Sequence, residues 1–392
     1  MGVKVGLVSL HSFLNPGGVK THIFGLYKQF RKKGILTKII VPRRQNNENY
    51  GKNVILLGTS FSFPFGGSQS DLSIHFNSEA IAETLKDEKF DVLHFHNFSF
   101  PASFQILEKS EALNILTFHS NIEGSEFLKN LPFLLDITKL IINWKIDGII
   151  GVSPTALQIF DNFRGPKIII PNGVDMQMFK PGNRKIKKFT DDKINILFVG
   201  RIEKRKGLIY LLRAYKILQK KLDNIRLIII GEGELEERAK TWVKNNSLKE
   251  VHFEGKKEGK ELASYFSTGN IFCAPSIFGE SFGIIILEAM ASGLPVVAFA
   301  NQGYKDFLRG KKAGNFLVPP KDYRNLAKKL QILIERPELR KEMGEWGLKE
   351  AGRYSWEKIA ERVLGFYKLC QKRRKKRNSF DFEDIIKETI SK

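Results

Sequence analysis

Short, nearly unbroken apolar runs alternate along this chain with longer stretches in which apolar residues recur at helical spacing. Residues 3–10 are such a run. The stretch 19–33 then sets Ile23, Leu26, Tyr27 and Phe30 beside Lys28, Arg31, Lys32 and Lys33. Runs without polar alternation read as strands buried on both faces, and the spaced stretches as helices packed over them. This pattern predicts strands at 37–41, 53–57, 91–96, 114–119, 147–152 and 167–170. PNGVD at 171–175 turns out of that series, and the polar segment 181–193, PGNRKIKKFTDDK, follows as a linker. A second series predicts strands at 195–199, 226–230, 251–253, 271–273 and 296–299, with helices at 208–221, 260–267 and 284–292. Strands alternating with helices make parallel βαβ units, so the fold class is α/β with two Rossmann-like halves. Their carboxyl-end loops leave a cleft between them, where open α/β sheets take ligands. Residues 355–370 form a last helix, and 371–392 are read as a basic, mobile tail without a core of its own.

Composition narrows this picture at a few points. A chain of 392 residues suits two or three domains, and 42% hydrophobic residues is ordinary for a globular protein. No 18-residue apolar run marks a transmembrane helix, and the first residues read as a strand rather than a signal peptide. Cys273 and Cys370 stand outside any metal or redox pattern, which points to a reducing cytoplasm. The net charge of +22 is uneven: residues 1–50 hold nine Lys/Arg against Glu48 alone, and 373–377 read RRKKR. Such an excess favours an anionic partner, a membrane surface or a nucleic acid. No nucleic-acid motif is present and no aromatics interleave the basic block, which disfavours the second. The helix at 19–33 has the composition of an interfacial helix, and equally that of a core helix with a solvated basic face.

Candidate chemistry concentrates in 275–295, PSIFGESFGIIILEAMASGLP. A strand, a turn loosened by Gly279 and Gly283, and a helix stopped at Gly293 and Pro295 leave backbone N–H groups and the positive dipole end pointing outward. That is a phosphate-sized anion site. Glu280 and Glu288 frame it, and carboxylates accept hydrogen bonds from paired sugar hydroxyls, so the stretch suits a ligand with phosphates in the middle and sugars at both ends. Gly17 and Gly18, after the first strand, let backbone approach a ligand closely. His94 and His96 share a strand face with no third metal ligand evident. His119, at a carboxyl end of the sheet, is the better site candidate. The segment 60–71, SFSFPFGGSQSD, reads as a loop on the acceptor side, and GRIEKRKG at 200–207 as a basic loop.

The spacing ESFGIIILE, two carboxylates flanking seven residues, together with PGGVKTH, FDVLHFHN, TFHSN, IPNGVD and CAPSIFGESFGI, resembles the retaining glycosyltransferases of GT-B architecture. The likeness is to the glycosyltransferase family 4 type, nearest the phosphatidylinositol mannosyltransferase branch, and spans about residues 3 to 370. It implies an acceptor domain at 1–175, joined by a helix at 355–370 that crosses back to it, and a nucleotide-sugar domain at 176–354. By position, Arg201 and Lys206 would neutralise the departing diphosphate, with Lys204 and Arg205 as surface neighbours. Glu280 would hold a hydroxyl of the donor sugar, and Glu288 the ribose. Ser281, Phe282 and Gly283 would offer backbone amides to phosphate, Gly17 and Gly18 would line the donor, and His119 would orient the transferred sugar.

No D-x-D triplet occurs, so the expectation is metal-independent transfer with no cofactor, only a nucleotide-sugar co-substrate, GDP-mannose by the branch. The expected acceptor is lipid-linked, and the expected location cytoplasmic and peripheral at the inner membrane face. Asp71, Glu79 and Glu83 depart from the branch, which carries a basic residue in the acceptor loop and a run of basic residues on the next helix. A UDP-sugar donor, a soluble sugar or polysaccharide acceptor, a GT-B-shaped epimerase or phosphorylase, and a basic nucleic-acid-binding protein are the alternatives.

Overall fold

A computed structural model describes residues 3–9, 11–14, 17–45, 47–65, 68–74, 78–98, 101–120 and 132–379, with side chains outside 62–78, 132–137 and 375–379. The first half runs β1 (Lys4–Ser9), α1 (Gly18–Lys32), β2 (Leu36–Arg43), β3 (Val54–Phe65), β4 (Ser68–Ile74), α2 (Ser78–Glu88), β5 (Val92–His96), α3 (Ala102–Lys109), β6 (Leu113–Phe118), α4 (Pro132–Lys145), β7 (Gly148–Gly151), α5 (Pro154–Gln158) and β8 (Lys167–Ile169). Its strands form one sheet in the order β4-β3-β2-β1-β5-β6-β7-β8. The second half runs β9 (Ile194–Val199), α6 (Leu208–Gln219), β10 (Ile225–Ile230), α7 (Glu236–Asn245), β11 (Val251–Phe253), α8 (Gly259–Thr268), β12 (Ile271–Ala274), α9 (Ile284–Ala291), β13 (Val296–Phe299), α10 (Gln302–Leu308), β14 (Leu317–Val318), α11 (Tyr323–Glu335), α12 (Pro337–Ala351) and α13 (Trp356–Ser379). Its sheet order is β11-β10-β9-β12-β13-β14, and every pairing in it is parallel.

The two doubly wound halves follow from the apolar runs. Val5, Leu7 and Val8 of β1 and Leu227, Ile228 and Ile229 of β10 are inaccessible to solvent, so both faces of each central strand are covered. Among the described residues, the one antiparallel pairing is β3 with β4. It corrects the expectation of a loop over 60–71: most of that segment is a hairpin, Ser60 pairing with Ser73 and Phe65 with Ser68.

One open choice is resolved and one further expectation changes. Of its two readings, α1 is the core helix. Ile23, Leu26 and Phe30 are buried in one cluster with Trp356, Val363 and Tyr367 of α13, while Lys28, Arg31 and Lys32 stay exposed. The last helix does cross back to the first half, and it continues through Ser379, so residues 371–379 are helical rather than a loose tail. Residues 380–392 lie outside the described residues. Among the described residues, no helix is long and apolar enough to cross a membrane.

Candidate active site

Each sheet reverses its winding once, between β1 and β5 in the first and between β9 and β12 in the second. Loops leaving the carboxyl ends of such strands diverge and open a crevice. Gly17, His96 and His119 stand at those ends in the first half; Arg201–Lys206 and 275–283 stand there in the second. The two crevices face each other. Ser281 Oγ donates to the His119 carbonyl, and Gly18 lies against the Ile284 side chain. The predicted site residues from both halves are therefore brought together.

At the second crevice the loop after β9 is drawn tightly onto the loop after β12. Ile277 N donates to the Arg205 carbonyl at 2.7 Å. Gly207 has φ +69° with the Pro275 carbonyl where a Cβ would sit, so only glycine fits there. This contact delivers the cations to Glu280: its Oε1 lies 2.6 Å from Lys206 Nζ and 3.1 Å from Arg205 Nη1. Arg205 Nε lies 2.5 Å from Glu203 Oε1, and Arg201 Nη2 3.4 Å from the same oxygen. Arg205 is thus not a surface neighbour as expected. Its side chain is 12% exposed and locked between two carboxylates, whereas that of Arg201 is 44% exposed at the outer end of the chain of charges.

Burial pushes the Glu280 carboxyl up, but Lys206 and Arg205 overcome it and hold the group below its ordinary value. Burial likewise pulls the Lys206 ammonium down, opposed by Glu280. Arg201, Arg205 and Lys206 set three positive charges against the two carboxylates of Glu203 and Glu280, so the cluster keeps one positive charge in excess for an anion.

α9 begins at Gly283, whose φ of +93° and contact with the Tyr304 ring, 2.5 Å from where a Cβ would stand, exclude a side chain. Ile286 N reaches back to the Gly283 carbonyl at 3.0 Å, which leaves the N–H groups of Ile284 and Ile285 without an intrahelical acceptor. The Phe282 side chain is buried 4.7 Å from Phe307, ring to ring, so this residue can meet a ligand only through its backbone. Glu288, one turn into α9, is buried, and burial alone pushes its carboxyl up to about 8.

Below the first crevice lies a histidine cluster that the sequence showed only in part. His94 and His96 do share a face, their rings 4.3 Å apart. His94 is used in packing, between Thr117 Oγ1 at 2.6 Å and Tyr367 OH at 2.6 Å. His96 Nδ1 meets His119 Nε2 at 3.2 Å, and the His22 ring stands edge-on to His119 at 4.6 Å. Asn172 Oδ1 takes the hydrogen bond of His22 Nδ1 at 2.7 Å. Ring nitrogens of His22, His96 and His119 lie within 4.8 Å of one another, a grouping from which the expectation of no third ligand had left out His22 and His119. Among the described residues, they are the group that could hold a transition-metal ion through imidazole nitrogens. Burial keeps all of them neutral, His22 down to about 4 despite its bond to Asn172. His22, Asn172 and Arg205 are the site residues that sequence reasoning did not assign. The first two sit inside motifs already noticed, PGGVKTH and PNGVD, and their pairing across 150 residues was the missing information.

The chain resembles known proteins over most of its length. The family model described as "Glycosyltransferase Family 4" matches residues 16–178, and that described as "Glycosyl transferases group 1" matches residues 179–350. The phosphatidyl-myo-inositol mannosyltransferase of Mycobacterium leprae is 29% identical over 374 residues, 93% of this chain and 96% of that protein. Among solved structures, sucrose-phosphate synthase from Thermosynechococcus elongatus matches with TM-score 0.76 at 21% identity, over 94% of this chain and 98% of its own. Anabaena HepE in complex with UDP-glucose matches with TM-score 0.72 at 16% identity, over 93% and 98%. The chain is a glycosyltransferase, a hexosyltransferase of GT-B architecture that joins a family 4 domain to a group 1 domain.

Proposed function

We propose that the enzyme moves a hexose, mannose from GDP-mannose, with retention of configuration onto a lipid-linked acceptor at a membrane surface, without a metal ion. The observation that carries this reading is the convergence of Arg201, Arg205, Lys206 and Glu280 on the mouth of α9. When the bond between sugar and diphosphate breaks, negative charge grows on the diphosphate. Fixed cations and helix N–H groups already aimed there stabilise that charge without reorganising. Glu280, held ionised, accepts a hydrogen bond from a sugar hydroxyl, and Glu288 accepts from the ribose. His119, neutral and buried, orients the sugar from the opposite wall. The departing phosphate takes the acceptor's proton, since the roles given to these side chains include no general base.

Support for mannose and for a lipid acceptor comes from the name carried by the mycobacterial relative. Two sets of observations bear on the partner surface. The net charge of +22 favours an anionic bilayer, while Glu79 and Glu83 lie exposed on α2 and turn that face away from one. A panel of GDP- and UDP-sugars, scored for thermal stabilisation and for sugar release with and without chelator, tests the reading. GDP-mannose should raise the melting temperature most, because a ligand of the folded state alone stabilises it, and chelation should leave the rate unchanged. Stabilisation by UDP-glucose alone, the ligand of the Anabaena structure, would replace the donor. Loss of activity on chelation, restored by added metal, would overturn the metal-free mechanism and direct attention to the His22, His96 and His119 cluster.

A further inference from the structure

A lipid surface is met by exposed apolar side chains within a basic border, and two helices weighed against that pattern, α1 and α2, do not supply one. α1 buries its apolar face, and α2 exposes Glu79, Glu83 and Asp87. A third place has both ingredients. On α4, Leu140 and Trp144 are 71% and 54% exposed and, four residues apart, lie one above the other on the helix. Leu369 of α13 is 52% exposed.

Hydrogen bonds tie these two helix ends into one edge of the molecule. Arg373 Nη2 donates to the Arg164 carbonyl at 3.0 Å, and Arg164 N donates to Asn143 Oδ1, next to Trp144, at 3.1 Å. Lys145 Nζ lies 5.3 Å above the Trp144 ring, and Lys372 and Arg373 are exposed beside Leu369. Two of the nearby carboxylates are already engaged: Asp147 lies 3.6 Å from Arg374, and Glu108 3.7 Å from Lys109. Asp161 is exposed. The chain continues from here into Lys375, Lys376 and Arg377, which add charge of the same sign.

We propose that this edge, formed by the last turns of α4 and by Leu369–Arg373 of α13, is where the protein rests on an anionic lipid bilayer. The inference rests on the lipid-acceptor reading for its place in the reaction. Indole and leucine side chains partition into the headgroup boundary, while Lys and Arg above them meet lipid phosphates. Arg373, fixed on the helix one turn beyond Leu369, then acts through its position rather than as part of a loose tail.

The test is flotation of the full chain with vesicles of phosphatidylcholine alone or with phosphatidylglycerol added. The wild type should bind the anionic vesicles, more weakly as salt is raised, and Trp144 emission should shift to the blue, a change absent from Trp144→Phe. The pair Leu140→Ser with Trp144→Ser should weaken binding about tenfold or more, and Arg373→Ala about fivefold. All variants should keep the donor-induced stabilisation of the wild type, because these side chains lie outside the cleft. Equal vesicle binding by wild type and variants overturns the proposal. So does absence of binding by the wild type, or self-association relieved by the same substitutions. Any of these with donor stabilisation intact removes this surface alone, whereas a wild type that no nucleotide sugar stabilises removes the proposed donor and lipid-acceptor reading instead.

Discussion

Glu280 and Glu288 are the same residue type on one short stretch, and their surroundings push them in opposite directions. Glu280 is ionised because two cations outweigh its burial, whereas Glu288, one turn into an apolar helix, is pushed up to about 8 by burial alone. The folded value for Glu288 exceeds the ordinary 4.5, so its contribution to stability is full below that value and is lost as pH rises through about 8. The ionised form is the one that accepts two ribose hydroxyls. Donor affinity should therefore rise with pH up to about 8 and level off above it. Isothermal titration at several pH values checks this, and Glu288→Gln should flatten the profile.

The alanine variants separate by burial. Arg201→Ala removes a half-exposed cation and should cut kcat about 100-fold or more with an unchanged melting temperature. Glu280→Ala should lose activity and also several kcal/mol of stability, about 3–5, because it takes from the largely buried Lys206 its carboxylate partner while Arg205 keeps Glu203. Sequence spacing could point to Arg201 and Lys206 but not to Arg205, since a run of basic residues does not say which side chain turns inward.

At the scale of elements, the strands were legible because central parallel strands are apolar on both faces, which leaves little else they could be. The hairpin β3–β4 was missed although its signal was present. Residues 60–65 alternate Ser-Phe-Ser-Phe-Pro-Phe and meet a Gly-Gly pair, a period of two with a turn, hidden by its loop-like composition. The two readings of α1 could not be separated from its own residues, because the partner that covers its apolar face, α13, lies more than 300 positions away. That contact is tight: a Cβ added at Gly25 of α1 would come within 2.3 Å of the Trp356 ring. Gly25→Ala should lower stability by about 1–3 kcal/mol in denaturant titrations. It should also disturb His22, whose ring stands edge-on to Trp356 at 5.2 Å, and so raise the KM for donor.

For the whole molecule, the two crevices matter only together. Ser281 reaches the His119 carbonyl, and Thr155 N and Oγ1 reach Asp306 Oδ2 at 3.1 and 2.6 Å, so both halves are joined across the cleft on either side of Phe282. The existence of two halves and the ends of their strands could be read from the sequence. The facing of those ends could not, because it depends on α13 and on polar contacts between residues more than 150 positions apart. The most direct test of the account is a crystal structure with GDP-mannose or its diphosphate product bound. The account predicts the diphosphate within hydrogen-bond reach of Arg201, Lys206 and the first turn of α9, the ribose on Glu288, and the sugar between Glu280 and His119. A nucleotide bound outside this cleft, or in it with its diphosphate away from those two cations, would contradict it.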